Sequence, residues 1–289
     1  MTSGPRLGGE RRLDLASAYL SGADRYARVR PGYPAGIVDW IVDRTVDRTV
    51  PDAVSDDGVP DEGAKDEGVS QGAVYAADVG AGTGIFTGLL ADRGLSVSAV
   101  DPSEEMLGVL SRRLPEVPVI VGTAEESFLP TASVDLVTLA QTWHWCDHPA
   151  AAAEAARVLR PGGRLAVVWN QLDVSRPWVH RLSRIMHAGD VYSPAYRPEF
   201  GPLFAPPEDL LVRWTQELTV ADVVDLARSR SYYRRASPEL RARVDANLLW
   251  YLTDYLAFTP DARLTLPYYT HAWRATRKTL EDHAQQRYI

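Results

Sequence analysis

Asp78-Val79-Gly80-Ala81-Gly82-Thr83-Gly84 follows directly on the apolar run Val74-Tyr75-Ala76-Ala77. A strand that stops in such a turn brings bare backbone close to a ligand, because glycine carries no Cβ. A helix starting there aims unpaired N–H groups into the same space. The glycines fall at 80, 82 and 84, whereas a dinucleotide-binding turn of the G-x-G-x-x-G type needs one at 85, where this chain has Ile85. The spacing disfavours a pyrophosphate cradle and favours a nucleoside carrying an amino-acid tail.

Around this turn, apolar runs alternate with helical patterns. Strands are expected over 74–79, 96–101, 117–122, 134–140 and 164–170, and helices over 85–93, 103–114 and 149–159. Ser103 is a cap for the second helix, and Pro161-Gly162-Gly163 is a hard stop after the third. Such alternation implies a mostly parallel sheet covered on both faces. Upstream, 1–12 reads as a tail, 13–20 as a short helix, and the Pro/Gly-punctuated segment 25–34 as a lid over the site. A helix over 35–48 carries the stripe Ile37, Ile41, Val42, Val46. After Asn170 the rhythm changes to a helix over 175–188, a Pro- and Tyr-rich loop over 192–207 and a strand over 210–218. A helix over 219–230 opens on the Thr219–Asp222 capping box. Another starts at Ser237-Pro238 with the stripe Leu240, Val244, Leu248, Leu252, Leu256. A last strand covers 263–274.

Charge is concentrated rather than spread. Of the net −7 over 289 residues, −6 lies in 51–72, where seven acids meet the single base Lys65. That stretch holds almost no large apolar residue and reads as a solvated insertion before the first strand. No basic stripe with interleaved aromatics is present, which argues against nucleic acid as a partner. No apolar run approaches the ~20 residues of a membrane span, and the first residues lack a secretion core. Cys146 is the one cysteine, which suits a reducing compartment. The expected location is the cytoplasm.

Three further constellations carry chemistry. Asp101 ends the second strand about 20 residues past the turn, where a carboxylate reaches both hydroxyls of a ribose. It also suits a helix cap before Pro102. Gly122-Thr123-Ala124-Glu125 follows the third strand, in the crevice outside the strand ends where an adenine lies; as a plain surface turn it needs no ligand. Ala140-Gln141-Thr142-Trp143-His144-Trp145-Cys146-Asp147 ends the fourth strand as a wall between donor and acceptor. His144 there is either a general base near neutral pH or a residue that shapes the pocket. His148 precedes Pro149, which disfavours helix at that residue, so His144 and His148 do not share a helical face and no metal is expected.

Taken together, the glycine turn, Asp101, Val134-Asp135-Leu136-Val137 and Arg157-Val158-Leu159-Arg160-Pro161-Gly162-Gly163-Arg164-Leu165 resemble the class I S-adenosylmethionine-dependent methyltransferases. Arg25-Tyr26, Arg30-Pro31-Gly32-Tyr33-Pro34, 141–145 and Leu266-Pro267-Tyr268-Tyr269-Thr270 resemble a narrower branch, which includes the trans-aconitate methyltransferase-like enzymes. The resemblance implies a Rossmann-like methyltransferase fold: α/β, doubly wound, a mostly parallel seven-stranded sheet with an antiparallel late strand and helical insertions forming a cap. It divides the chain into a lid and first helix (1–50), the acidic insertion (51–72), an S-adenosylmethionine-binding core (73–171) and a late acceptor-side region (172–289). It further implies that Gly80, Ala81, Gly82, Thr83 and Gly84 pack against the cofactor's tail and ribose. Asp78 would hold the tail's ammonium, directly or through water, and Asp101 the ribose, with Pro102, Ser103 and Met106 flanking the adenine. Gln141 and Thr142 would line the sulfonium side; Tyr26 and Arg30 would meet the tail carboxylate. Many members place an aspartate where this chain has Thr123, so adenine contact passes to Ala124 and Glu125.

The acceptor implied is a small molecule, methylated at oxygen or nitrogen, with secondary metabolism as the expected setting. Trp143, Trp145, Trp178, Tyr192, Tyr196, Tyr232, Tyr233, Trp250 and Tyr251 are the rings expected around it; the alternative is that most of them are core or helix packing, the favoured reading for Trp250. Two alternatives stay open. One is a non-methylating binding or pathway protein on the same fold. The other is a nicotinamide-dependent oxidoreductase, against which stand Ile85 and the lack of a Tyr-x-x-x-Lys motif.

Overall fold

The computed structural model describes residues 29–43, 73–187, 195–259 and 261–279. The expected helix over 13–20, Tyr26, the end of the helix over 35–48, the acidic segment 51–72 and Tyr192 lie outside the described residues. Seven strands are described: β1 (Tyr75–Val79), β2 (Ser96–Asp101), β3 (Val119–Val121), β4 (Val134–Ala140), β5 (Leu159–Leu172), β6 (Glu208–Thr219) and β7 (Arg263–Thr276). They form one sheet in the order β3-β2-β1-β4-β5-β7-β6. The first five run parallel, and β7 is antiparallel to both of its neighbours.

The strand periodicity of two sorts the core onto two faces. Ala76, Leu136, Ala166 and Val168 turn to one side, under Ile37, Val38 and Ile41 of α1 (Ala35–Val42) and Phe86 and Leu90 of α2 (Ile85–Ala91). Ala77, Val79, Val137, Leu139, Leu165 and Val167 turn to the other, under the alanine face of α4 (His148–Val158). Leu107 and Leu110 of α3 (Glu104–Arg113) pack on Ala99. Ser103 caps α3, accepting from the Met106 N–H.

The structure moves several expected boundaries. β3 is three residues long, because Pro118 has no N–H to give the ladder and β2 is its only partner among the described residues. α4 starts at His148, since proline is tolerated in a first helical turn; Asp147 caps it by accepting from the Ala150 N–H. Pro161-Gly162-Gly163 does not separate helix from strand. β5 begins at Leu159 opposite Val134 and resumes at Arg164 opposite Leu136, with the intervening residues bulged. Gly162 takes φ 71° there, and a Cβ on Gly163 would sit 3.0 Å from the Asp135 carbonyl oxygen.

β5 pairs with β7 only as far as Leu172–Tyr268, while β6 and β7 stay paired to Thr219–Arg263. The β6–β7 ribbon therefore projects beyond the carboxyl ends of the parallel strands. On it sits the cap: α5 (Pro177–Ile185), α6 (Val220–Arg228), α7 (Ser231–Arg235), α8 (Pro238–Trp250) and the π turn Tyr251–Tyr255. Val179, Leu182, Val223, Leu226, Leu248 and Leu252 bury against Leu172, Leu218, Leu264 and Leu266. The Thr219–Asp222 capping box forms as the sequence predicts. Trp250 differs from its expected packing role: it is 48% exposed. No helix among the described residues is long and apolar enough to cross a membrane.

Candidate active site

β1 is the point where strand order reverses, with β2 on one side and β4 on the other, and ligands of such sheets lie outside the strand ends there. The three glycines of the turn after β1 are needed for different reasons. All take positive φ, at 73°, 56° and 80° for Gly80, Gly82 and Gly84. A Cβ on Gly80 would lie 2.2 Å from the Thr142 hydroxyl oxygen, and one on Gly84 would lie 2.7 Å from Leu110 Cγ. A Cβ on Gly82 would meet nothing within 4 Å. Gly80 and Gly84 are thus glycines because protein presses on them, and Gly82 because its left-handed backbone faces open space. Gly80→Ala is expected to cost about 3 kcal/mol through overpacking and strain, read by urea denaturation. Gly82→Ala is expected to cost only about 1 kcal/mol yet to lose most affinity for S-adenosylhomocysteine in a calorimetric titration.

Asp101 sits at the end of β2, 8% exposed. Its Oδ2 accepts from the Gly82 N–H at 2.8 Å and its Oδ1 from the Ser103 N–H at 2.8 Å. Burial pushes its carboxyl above the usual range, against the pull of those two bonds. One carboxylate therefore fixes both the middle of the glycine turn and the start of α3. The buried Thr83 hydroxyl in the same turn has no hydrogen-bond partner in the structure.

Asp78 is anchored from within the core. Its side chain is 1% exposed. The hydroxyls of Thr87 and Thr138 donate to it at 2.7 and 2.8 Å, one to each oxygen. Burial lifts its pKa to about 6, helped by the nearby Asp101 charge. Each oxygen thus has one donor from behind the strand end, and Asp78 stands as a buried charge beside the crevice.

β4 ends in Gln141, a non-glycine residue at φ 57°. Its N–H donates to the Val168 carbonyl at 2.8 Å and its amide to the Asn170 carbonyl at 2.8 Å. Strain held in place by surrounding bonds at a strand end marks a site where a side chain is being aimed. The Thr142 hydroxyl lies 3.0 Å from the Ala140 oxygen and 3.3 Å from the Gly80 oxygen, tying β4 to the glycine turn. Asn170 donates from its amide to the Gly32 carbonyl at 2.7 Å, which brings the 29–34 segment over the end of β5. Sequence reasoning passed over Asn170; the signal was one amide closing an otherwise apolar run. Arg30 of that segment donates to the Ser229 carbonyl at 3.1 Å, so it joins the segment to the cap.

Around the adenine position, the Thr123 hydroxyl accepts from the Glu126 N–H at 3.1 Å, Ala124 is buried, and Glu125 accepts from the Asp147 N–H at 2.7 Å. Glu125 is thereby tied to the start of α4. Pro102 is exposed, while Met106 is buried beside Val109.

The aromatic set divides. Trp143 is fully buried, stacked on His148 at 4.9 Å and edge-on to Phe200 at 5.4 Å, so it is core and not the pocket wall expected of it. Trp145 stays partly exposed beside His144, with ring centroids 4.6 Å apart. Trp178 packs on the cap core, and its carbonyl accepts from the Tyr251 hydroxyl. Tyr233 donates to Asp245 at 2.9 Å, and Tyr232 stacks on His187 at 3.8 Å; both are engaged within the cap. Tyr196 is edge-on to Trp169 at 5.3 Å.

The Trp169 indole N–H donates to His144 Nδ1 at 3.2 Å. That bond assigns the proton of the neutral ring to Nε2. Burial, with His148 adding to it, depresses the His144 pKa to about 4. A ring that weakly basic, with its acceptor nitrogen already used, is a hydrogen-bond donor at neutral pH. Among the described residues no group of three or more His, Cys, Asp or Glu is placed to hold a metal ion.

A reversing sheet with β7 inserted between β5 and β6, a glycine turn after β1 and a carboxylate ending β2 define the class I S-adenosylmethionine-dependent methyltransferases, and the chain belongs to them. Residues 77–167 match the family model described as a methyltransferase domain. Over 267 residues the chain is 37% identical to an uncharacterized methyltransferase of Mycobacterium tuberculosis strain H37Rv, covering 92% of this chain and 98% of that protein. It is 35% identical over 113 residues to the malonyl-[acyl-carrier protein] O-methyltransferase of Serratia marcescens, covering 34% of this chain and 44% of that one. A solved structure from Anaeromyxobacter dehalogenans, a putative type II methyltransferase, is similar at 25% identity and TM-score 0.52, covering 86% of this chain and 97% of that one.

Proposed function

We propose that this chain uses S-adenosylmethionine to methylate an oxygen of a small acceptor that is already anionic at neutral pH, a carboxylate. The open space in front of Gly82 and the unpartnered Thr83 hydroxyl fit such a cofactor. When bound, it supplies an electrophilic methyl carbon and a neutral thioether leaving group.

The chain's own residues then have three tasks. The 80–84 backbone and Asp101 hold the nucleoside, Asp101 with lone pairs beyond those engaged by Gly82 and Ser103. Ala124 and the backbone around it face the adenine. Gln141, locked by Val168 and Asn170, fixes the sulfonium side, and the cap keeps water out. Alignment of this kind contributes ~7–11 kcal/mol.

His144 carries the choice of acceptor. A phenol, alcohol or ammonium group must lose a proton to attack, and a ring with a pKa of about 4 is a poor acceptor for it. A carboxylate has none to lose. As an Nε2–H donor, His144 suits orienting an acceptor oxygen. The similarity to a protein named as a malonyl-[acyl-carrier protein] O-methyltransferase supports transfer to oxygen.

Incubation with methyl-labelled cofactor and a panel of carboxylic acids, phenols and amines tests the reading. Label in an alkali-labile ester is the expected result; label that survives alkali overturns the acceptor class. Binding of NAD in preference to S-adenosylhomocysteine would instead revive the oxidoreductase alternative. The rate profile gives a second check. Wild type and His144→Asn are expected to show pH profiles of the same shape between about 5.5 and 8.5, differing only in height. An inflection near 6.5 that vanishes in the variant restores His144 as the base.

A further inference from the structure

A cleft of about 510 Å³ opens between α5 and α8, and among the described residues no acidic one lines it. α5 turns Val179, Leu182 and Ser183 inward. Its outer stripe, at helical spacing, gives the cleft His180, Arg181 and Arg184, and His187 follows just past its end. Arg243 enters from the facing side of α8, beside Asn247. The floor between them is apolar, formed by Ile185, Leu240 and Val244.

These cations lack the compensation found elsewhere on the cap. Asp245, the carboxylate nearest to Arg243 on α8, turns away to Arg228 at 2.9 Å and to Tyr233. Among the described residues, Arg184 and Arg243 make no ion pair or side-chain hydrogen bond. Arg181 lies over the rings of Tyr255, Tyr251 and Trp250, at 4.6, 5.1 and 5.6 Å from their centroids. Stacking of this kind uses the faces of a guanidinium and leaves its N–H edge for an acceptor. His187 is held by its stacking on Tyr232; partial burial and then the charge of Arg243 lower its pKa. Like charges facing one another across a concave surface repel, and focus a positive potential into it.

We propose that this cleft binds a phosphate ester with an apolar body. Three guanidiniums and two imidazoles offer more donors than one carboxylate takes, and arginine forks match phosphate oxygens in pairs. The apolar floor gives an attached chain a surface to cover. The volume, within the usual range of small-molecule sites, fits a small ligand better than a polynucleotide track. This site stands apart from the glycine turn and does not depend on the acceptor proposed above.

Calorimetric titration of the full chain with hexyl phosphate, inorganic phosphate and hexanoate tests it. Hexyl phosphate is expected to saturate one site per chain and to bind more tightly than either of the others. The double variant Arg184→Gln/Arg243→Gln is expected to weaken that binding at least about tenfold. S-adenosylhomocysteine binding by the same variant should stay at the wild-type value, which shows the protein folded. Hexyl phosphate that fails to saturate by millimolar concentration, binding unchanged in the double variant, or hexanoate binding equally well overturns the proposal. A failure to methylate any acceptor leaves this titration unaffected.

Discussion

Asp101→Ala is expected to weaken S-adenosylhomocysteine binding by about ten- to a hundredfold, equivalent to ~1.4–2.7 kcal/mol. Two effects contribute, and they separate experimentally. The carboxylate holds the Gly82 and Ser103 N–H groups at 2.8 Å each, so its removal leaves the buried Ser103 donor unpaired, which costs stability of about 1–3 kcal/mol, and frees the half-buried Gly82 donor as well. It also removes the acceptor for the ribose hydroxyls. Asp101→Asn keeps the shape and one acceptor oxygen while discarding the charge. Stability close to wild type with binding still weakened marks direct contact with the nucleoside. Binding restored in the Asn variant marks a residue that works only by shaping the turn. A dissociation constant unchanged in both variants would falsify the assignment of this crevice as the cofactor site.

The parts of the site that were legible in the sequence are those set by backbone geometry. Glycine at 80, 82 and 84 follows from positive φ at each position and close contact at Gly80 and Gly84, and the distance from the turn to Asp101 follows from one helix and one strand of ordinary length. The parts that were not legible share a different cause: each depends on a partner far along the chain. Period two already put Asp78 on the face of Ala76, but its two hydroxyl partners, Thr87 and Thr138, come from α2 and β4. Trp143 reads as pocket wall beside polar neighbours, yet a 3-10 turn sends successive side chains in different directions, and this one enters the core against His148 and Phe200. The proton on His144 is decided by Trp169. The basic cleft assembles from two helices that only the cap brings together, so nothing in either helix alone announces it.

Asp78→Asn is expected to change how stability depends on pH. The carboxyl has a pKa of about 6 when folded, against an ordinary value of 3.8. An acid raised on folding binds more protons in the native state between those values, so its contribution falls as pH rises through the window. Above pH 6 the native state carries the full cost of a buried charge, about 3 kcal/mol; below about 4 that cost is gone. The Asn variant has no charge to bury. Its stability relative to wild type should therefore improve by about 2–3 kcal/mol between pH 4 and pH 8, read by urea denaturation across the range. Glu154, held down to about 2 by Arg157, changes stability only below its ordinary value, so it leaves the upper part of the window clear and is shared by both proteins. A difference that stays constant with pH shows that Asp78 is not held up by burial. Asp78 and Asp101 repel one another through the strand end, which gives the crevice a negative potential suited to a sulfonium. The more stable Asn variant is accordingly expected to lose affinity for S-adenosylmethionine by more than for the uncharged-sulfur product, a trade of binding against stability that parallel titrations of the two compounds resolve.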